Sequence, residues 1–141
     1  MRVESLVRRP PVTISSGATI KQAAEVFARE KIGLLVVASS IAPIRAEAVL
    51  SERDIVRAVA AGVPSTQKLD SMATTELIGV QRSDPLSKAA RLMMENNVRH
   101  LLVLNGDGSL FGVLSIRDFL REQKVLQGFL RDESEESHGI D

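Results

Sequence analysis

The chain is written twice. Sliding its 141 residues along themselves by 66 positions sets Val3-Glu4-Ser5-Leu6 against Leu69-Asp70-Ser71-Met72 and Val12-Thr13-Ile14 against Ile78-Gly79-Val80. The same offset pairs Ala23-Ala24 with Ala89-Ala90, Ile32 with Val98, and Leu35-Val36-Val37 with Leu101-Leu102-Val103. After that it falls to 64, and Val49-Leu50-Ser51 meets Val113-Leu114-Ser115. Apolar class agrees at nearly every aligned position, so one supersecondary unit occurs in two copies. The first is expected to span residues 1–66 and the second 67–131.

Each copy reads as strand, helix, strand, strand, helix. Val12–Ile14 and Ile78–Val80 are short β-rich runs, followed by helical spacing in Ile20, Ala23, Ala24, Phe27 and in Leu86, Ala89, Ala90, Met93. Thr19 is placed to cap the first of these helices, and Ser83 or Asp84, with Pro85 at the first helical position, the second. Leu34–Ala38 and Leu101–Leu104 are continuous apolar runs of strand length, the pattern of buried strands. Asn105-Gly106-Asp107-Gly108 predicts a hairpin turn into Leu110–Leu114, whereas copy one has a longer Ser39–Ile44 loop, containing Pro43, in which loose pairing is expected. The second helices are expected over about Glu52–Ala61 and from Ile116 to Lys124 or beyond. A β-α-β-β-α unit leaves one sheet face uncovered, so the two copies should pack sheet to sheet as a single α+β body. The acidic run Asp132–Ser137 has no apolar face, and 132–141 is expected to be a disordered tail.

Eighteen basic and eighteen acidic side chains cancel, which argues against a broad nucleic-acid face or adhesion to anionic membranes. Without Trp or Tyr and with four Phe, little is available to stack single-stranded bases. No cysteine is present, which excludes thiolate chemistry; a cytoplasmic location is the expectation, since no apolar run approaches membrane-spanning length and the N-terminus lacks a signal-peptide pattern.

The chemistry-bearing motif is also doubled. Ser51-Glu52-Arg53-Asp54 recurs as Ser115-Ile116-Arg117-Asp118, each straight after a Val-Leu pair. A strand running into Ser-x-Arg-Asp gathers a hydroxyl, a guanidinium and a carboxylate around one helix start. Taken singly, Ser-x-x-Asp is a helix cap, with the acid suited to the helix dipole. Repetition with the same Arg at the same offset favours a ligand role, and capping is compatible with it. An ionised Asp accepts only and suits two ribose hydroxyls, Ser with free helical N–H groups suits a phosphate, and Arg supplies a charge-assisted fork. No catalytic cofactor or metal is expected. His100 has one possible His partner, His138 in the tail, and a Ser115-His100-Asp118 triad fails because the Asp shares the helix of the Ser. There is no Gly-x-Gly-x-x-Gly and no Walker-type loop, and Gly106-Asp107-Gly108 would set a carboxylate against any phosphate.

The sequence resembles paired CBS domains, the family called after cystathionine beta-synthase. The resemblance covers Val3 to about Lys124 and rests on the doubled unit, on Val98-Arg99-His100-Leu101-Leu102-Val103 and on Gly112-Val113-Leu114-Ser115-Ile116-Arg117-Asp118. Copy one departs in having Ala48 where the glycine would stand. The resemblance implies a regulatory module without chemistry that binds adenosyl ligands in two clefts, each built from both copies. Carried over, one cleft would set Ser115, Arg117 and Asp118 against Ser15, Ser16, Ile32, Gly33 and Leu34. The other would set Ser51, Arg53 and Asp54 against Gln81, Arg82, Val98, Arg99 and His100. The second is then expected to be the more basic and to prefer more anionic phosphates. The implied reading is a stand-alone nucleotide sensor for AMP foremost, or ADP or ATP, regulating an unknown protein. S-adenosylmethionine or NAD binding and a structural dimerisation role are the alternatives. A homodimer joined through helix faces including Phe27, Met93, Met94 and Phe119 is also implied.

Overall fold

The structure, a computed structural model, describes residues 1–39, 41–122, 127, 128 and 131. Copy one contributes β1 (Thr13–Ile14), α1 (Ile20–Glu30), β2 (Leu34–Ala38), β3 (Ala46–Ser51) and α2 (Glu52–Ala60). Copy two contributes β4 (Gly79–Gln81), α3 (Leu86–Asn96), β5 (His100–Leu104), β6 (Leu110–Ser115) and α4 (Ile116–Arg121). The expected extension of the last helix to Lys124 and the acidic tail lie outside the described residues.

Local chemistry sets the helix ends. Thr19 and Gln22 form a reciprocal capping box at the start of α1, 3.1 and 2.9 Å. α1 and α3 both end on a left-handed residue, Lys31 and Asn97, at the same place in the repeat. The expected start of α3 needs correction: Pro85 is the cap residue and not the first helical one, and no side chain caps this helix. The Asp84 carboxylate turns back to accept from the Gln81 N–H at 2.9 Å, closing the turn after β4.

Each copy folds into a three-stranded sheet, ordered β1-β2-β3 and β4-β5-β6, in which the first pair is parallel and the second antiparallel. Val36 and Ala38 of one sheet and Leu102 and Leu110 of the other share a buried cluster, the seam between the sheets. The loop after β2 is tied across this seam, with Ile44 O accepting from Leu110 N at 2.8 Å and Arg45 Nη2 donating to Asp107 O at 3.0 Å.

The copies also exchange their leading segments. Val3 and Leu6, in a short 3-10 turn, are buried in the core of copy two beside Val80, Met93 and Leu114. Leu69, in the equivalent turn, is buried in the core of copy one beside Phe27, Leu35 and Leu50. Main-chain bonds fix both crossings: Val3 N to Asp84 O at 2.9 Å, and Leu69 N to Ala18 O at 2.8 Å. Burying one such aliphatic side chain is worth about 1.5–3 kcal/mol, so each crossing adds to the seam in holding the pair together.

Candidate functional site

Both Ser-x-x-Asp motifs fold as helix starts. Ser51 precedes α2, and the Asp54 Oδ2 accepts from the Ser51 N–H at 2.8 Å and its hydroxyl at 3.0 Å. Asp118 Oδ2 does the same for Ser115, at 2.7 and 3.2 Å. The capping role is therefore real in both copies. It uses one carboxylate oxygen. Oδ1 of Asp118 takes no hydrogen bond among the described residues, and Oδ1 of Asp54 lies 3.9 Å from Arg57 Nη1. Arg53 and Arg117 are exposed on the first turns.

The strands that start beside these motifs meet across the seam. Leu34 pairs with Ser51 and His100 with Ser115, so each motif has the beginning of its own copy's middle strand as neighbour. Gly33 then approaches the other copy: a Cβ built on it would lie 3.0 Å from His100 Cε1. His100 therefore stands with Gly33 between the two motifs, where Asp118 and Arg117 of one and Glu52 of the other are close enough to act on its charge. Burial pushes its imidazole below the ordinary value of 6.5, with the Asp118 and Glu52 carboxylates opposing the shift and the Arg117 and Arg99 guanidiniums reinforcing it.

The far sides of the two expected groups are not where sequence placed them. Because β1 runs parallel to β2 with Ile14 level with Val37, Ser15 and Ser16 emerge beside the end of β2. They are about 13 Å along the strand from Leu34, at about 3.3 Å per residue. Ser16 instead donates to Asp70 Oδ2 at 3.0 Å, and Asp70 Oδ1 accepts from Gly17 N at 3.0 Å. These bonds, Gly17 foremost and then Ser16, hold the Asp70 carboxyl below the usual range. Gln81 is likewise level with Leu104, away from Val98, Arg99 and His100. Arg82 is held by Glu4 Oε2 at 2.7 Å and Asn105 Oδ1 at 3.2 Å, with its guanidinium 4.0 Å from the centre of the Phe111 ring. A surface hollow of about 560 Å³ takes in Ser15, Ser16 and Arg29 but none of the Ser115 or Ser51 groups.

The segments leading into β1 and β4 stand at the motif ends instead. Val7 packs on Gly112, where a Cβ would run into its Cγ1, and Arg9 O lies 3.9 Å from the same position. Arg9 Nη2 reaches Glu30 O, at the end of α1 and just before Ile32, at 3.5 Å. In the other copy Thr74 exchanges two main-chain bonds with Val49, both 2.9 Å. Val7–Pro11 and Ala73–Leu77 thus lie along the strands that lead into the two motifs, a placement absent from the sequence expectation. The signal was available: a strand joined to the next by a helix crossover runs parallel to it, so its beginning and not its end lies beside the neighbour's beginning.

The sequence model described as "CBS domain" matches residues 3–61 and 69–125. Among solved structures, a CBS domain protein from Pyrobaculum aerophilum complexed with AMP is 39% identical, covers 93% of this chain and 99% of that one, and superposes with a TM-score of 0.84. A CBS-domain containing protein from Agrobacterium tumefaciens is 28% identical over 83% of this chain and 89% of its own, with a TM-score of 0.73. An inosine-5'-monophosphate dehydrogenase of Chlorobaculum parvum is 27% identical over 87% of this chain but only 25% of the enzyme. With both matches covering the doubled unit and the two sheets arranged as in these relatives, the chain belongs to the CBS-domain family.

Proposed function

We propose that this CBS-domain pair binds adenine nucleotides in clefts between its copies and acts as a regulatory sensor in the cytoplasm, without catalysing a reaction. The observation that carries the reading is the pairing of the capped Ser115/Asp118 start with Gly33 and His100 of the seam. In this reading a carboxylate oxygen of Asp118 takes the ribose, Arg117 the phosphate, and Ile32 and Leu34 wall the base. The relative solved with AMP supports AMP as the first ligand to test, with ADP and ATP beside it. Ser51, Arg53 and Asp54, with Val98 and Arg99, form the second cleft in this reading. The assignment of these residues to a ligand is part of the proposal. A sensor must bind its ligand more tightly in one of two arrangements, and a partner protein reads the difference.

The same proposal includes a homodimer, through a different face from that expected. Phe27, Met93 and Phe119 are buried in their own cores, because the helical stripe carrying them is the one that covers the sheet. Of the four expected residues only Met94 is exposed. Val56 and Val59 of α2 and Ile116 and Leu120 of α4 are exposed apolar side chains, with Val56 and Leu120 at the same place in the repeat. Val59→Asp and Leu120→Asp should shift sedimentation to the monomer.

Calorimetry and thermal shifts with AMP, ADP, ATP, NAD and S-adenosylmethionine test the ligand reading. A ligand at 100 times its Kd stabilises by about 2.7 kcal/mol. The shift should shrink in Asp118→Ala or Asp54→Ala. No shift with any of the five ligands ends the sensor reading.

A further inference from the structure

The two clefts are alike in backbone and unlike in charge. The segment beside the Asp118 motif is Val7-Arg8-Arg9-Pro10-Pro11, and the one beside the Asp54 motif, 66 positions on, is Ala73-Thr74-Thr75-Glu76-Leu77. Two guanidiniums on one side are replaced by a carboxylate on the other. The helix starts differ in the same sense, since α2 begins with exposed Glu52 and α4 with exposed Ile116.

The remaining charges do not cancel this contrast. Arg8 pairs with Glu122 at 3.5 Å, so on the Asp118 side it is Arg9 and Arg117 that exceed the single motif carboxylate. On the Asp54 side the motif and the segments that stand with it by the pseudo-two-fold carry Arg53 and Arg99 against Asp54, Glu52 and Glu76. Arg57, 3.9 Å from Asp54, offsets that carboxylate, which leaves Arg53 and Arg99 balanced by Glu52 and Glu76 and no excess of positive charge. Arg82, the cation that made the Asp54 cleft look the more basic in sequence, is locked to Glu4 at the other end of β5. The expected order of basicity is therefore reversed.

We propose that the Asp118 cleft is selective for adenosyl ligands carrying phosphate, and that the Asp54 cleft takes adenosyl ligands without a phosphate charge. The proposal rests on the adenosyl-binding reading and adds a division of labour to it. A cell could then report two ligand classes through one pair, with the phosphorylated ligand read by one cleft and the uncharged nucleoside by the other.

Calorimetry with AMP and with adenosine, on Asp54→Ala and on Asp118→Ala, isolates each cleft. With the Asp118 cleft alone, AMP should bind at least about tenfold tighter than adenosine, a preference that salt erodes. With the Asp54 cleft alone, the preference should vanish or reverse. Charge exchanges at the two exposed wall positions give a second measurement that leaves both caps intact: Arg9→Glu should abolish the AMP preference of the first cleft, and Glu76→Arg should create one in the second. Equal preferences in the two clefts, or a stronger one in the Asp54 cleft, overturn the division while leaving adenosyl binding in place. Failure of the wild type to bind either ligand overturns the adenosyl reading itself, and this proposal with it.

Discussion

The imidazole of His100 lies directly on Gly33 of the other copy: a Cβ added there would stand 3.0 Å from Cε1 and 3.1 Å from Nε2. Such separations are tighter than most methyl contacts, so a side chain at this position would make the ring give by a few tenths of an ångström. Gly33→Ala should displace the ring and weaken nucleotide binding at the Asp118 cleft about tenfold, with little loss of melting temperature because Gly33 is outside the buried clusters. Calorimetry on the variant checks this. His100→Ala in the same chain gives the methyl its space; if the double variant binds no better than Gly33→Ala with His100 removed alone as reference, crowding is not the cause.

His100 also sets a pH dependence of stability. Its folded value is pushed below 6.5, chiefly by burial, so between the folded and unfolded values the unfolded chain holds more protons. Stability therefore rises with pH through this window, and acidification below about 6.5 costs stability until the folded ring is itself protonated. His100→Gln should flatten the slope between pH 5 and about 7, measured by urea unfolding. The depressed carboxyls of Asp70, Asp84 and Asp107 act in a separate, lower window: their stabilisation is present above about 3.8 and lost as pH falls through their folded values. A slope near neutrality that survives His100→Gln would show that another group carries it.

The glycine of the Gly112 motif has a packing explanation. Val7 occupies the space a side chain at Gly112 would need, while at the equivalent place in copy one Ala48 packs in a cluster with the smaller Ala73, which stands where Val7 would. Size on the crossing segment is thus matched to size on the strand. Gly112→Ala should cost about 1–3 kcal/mol by overpacking, and Val7→Ala in the same chain should recover most of it. Denaturant midpoints of the two single variants and the double variant form the cycle that checks the coupling.

How far sequence reached depended on which physical rule was in play. The bounds of β2 and the Thr19 cap follow from patterns confined to a few neighbouring residues, and the structure shows them. Pro85 moved by one position because Asp84 found the Gln81 N–H, a competing partner that local spacing does not reveal. Ser15, Ser16, Gln81 and Arg82 were set beside the wrong strand ends because the resemblance was transferred without applying strand direction. Phe27, Met93 and Phe119 lie in the cores and not on a dimer face, because a helix covering a sheet shows the same apolar stripe as one covering a second subunit. The exchange of Val3 and Leu6 for Leu69 is invisible to self-alignment, since equivalent segments align equally well whichever core they enter.

That exchange gives a prediction of location as well as size. Leu6 is buried beside Val80, Leu101 and Leu114, and Leu69 beside Leu35, Val37 and Leu50. Truncation of a buried Leu to Ala costs about 2–5 kcal/mol, according to how far the site collapses. In Leu6→Ala the cavity opens under β4, β5 and β6, although the residue belongs to copy one by sequence; in Leu69→Ala it opens under β1, β2 and β3. Native-state hydrogen exchange reads the difference, because amides over the cavity open at lower free energy than those of the other sheet. Faster exchange at Leu101–Val103 in Leu6→Ala, and at Leu35–Val37 in Leu69→Ala, is the expected pattern. The opposite assignment, with each variant loosening its own copy, would mean that the leading segments are not exchanged in solution.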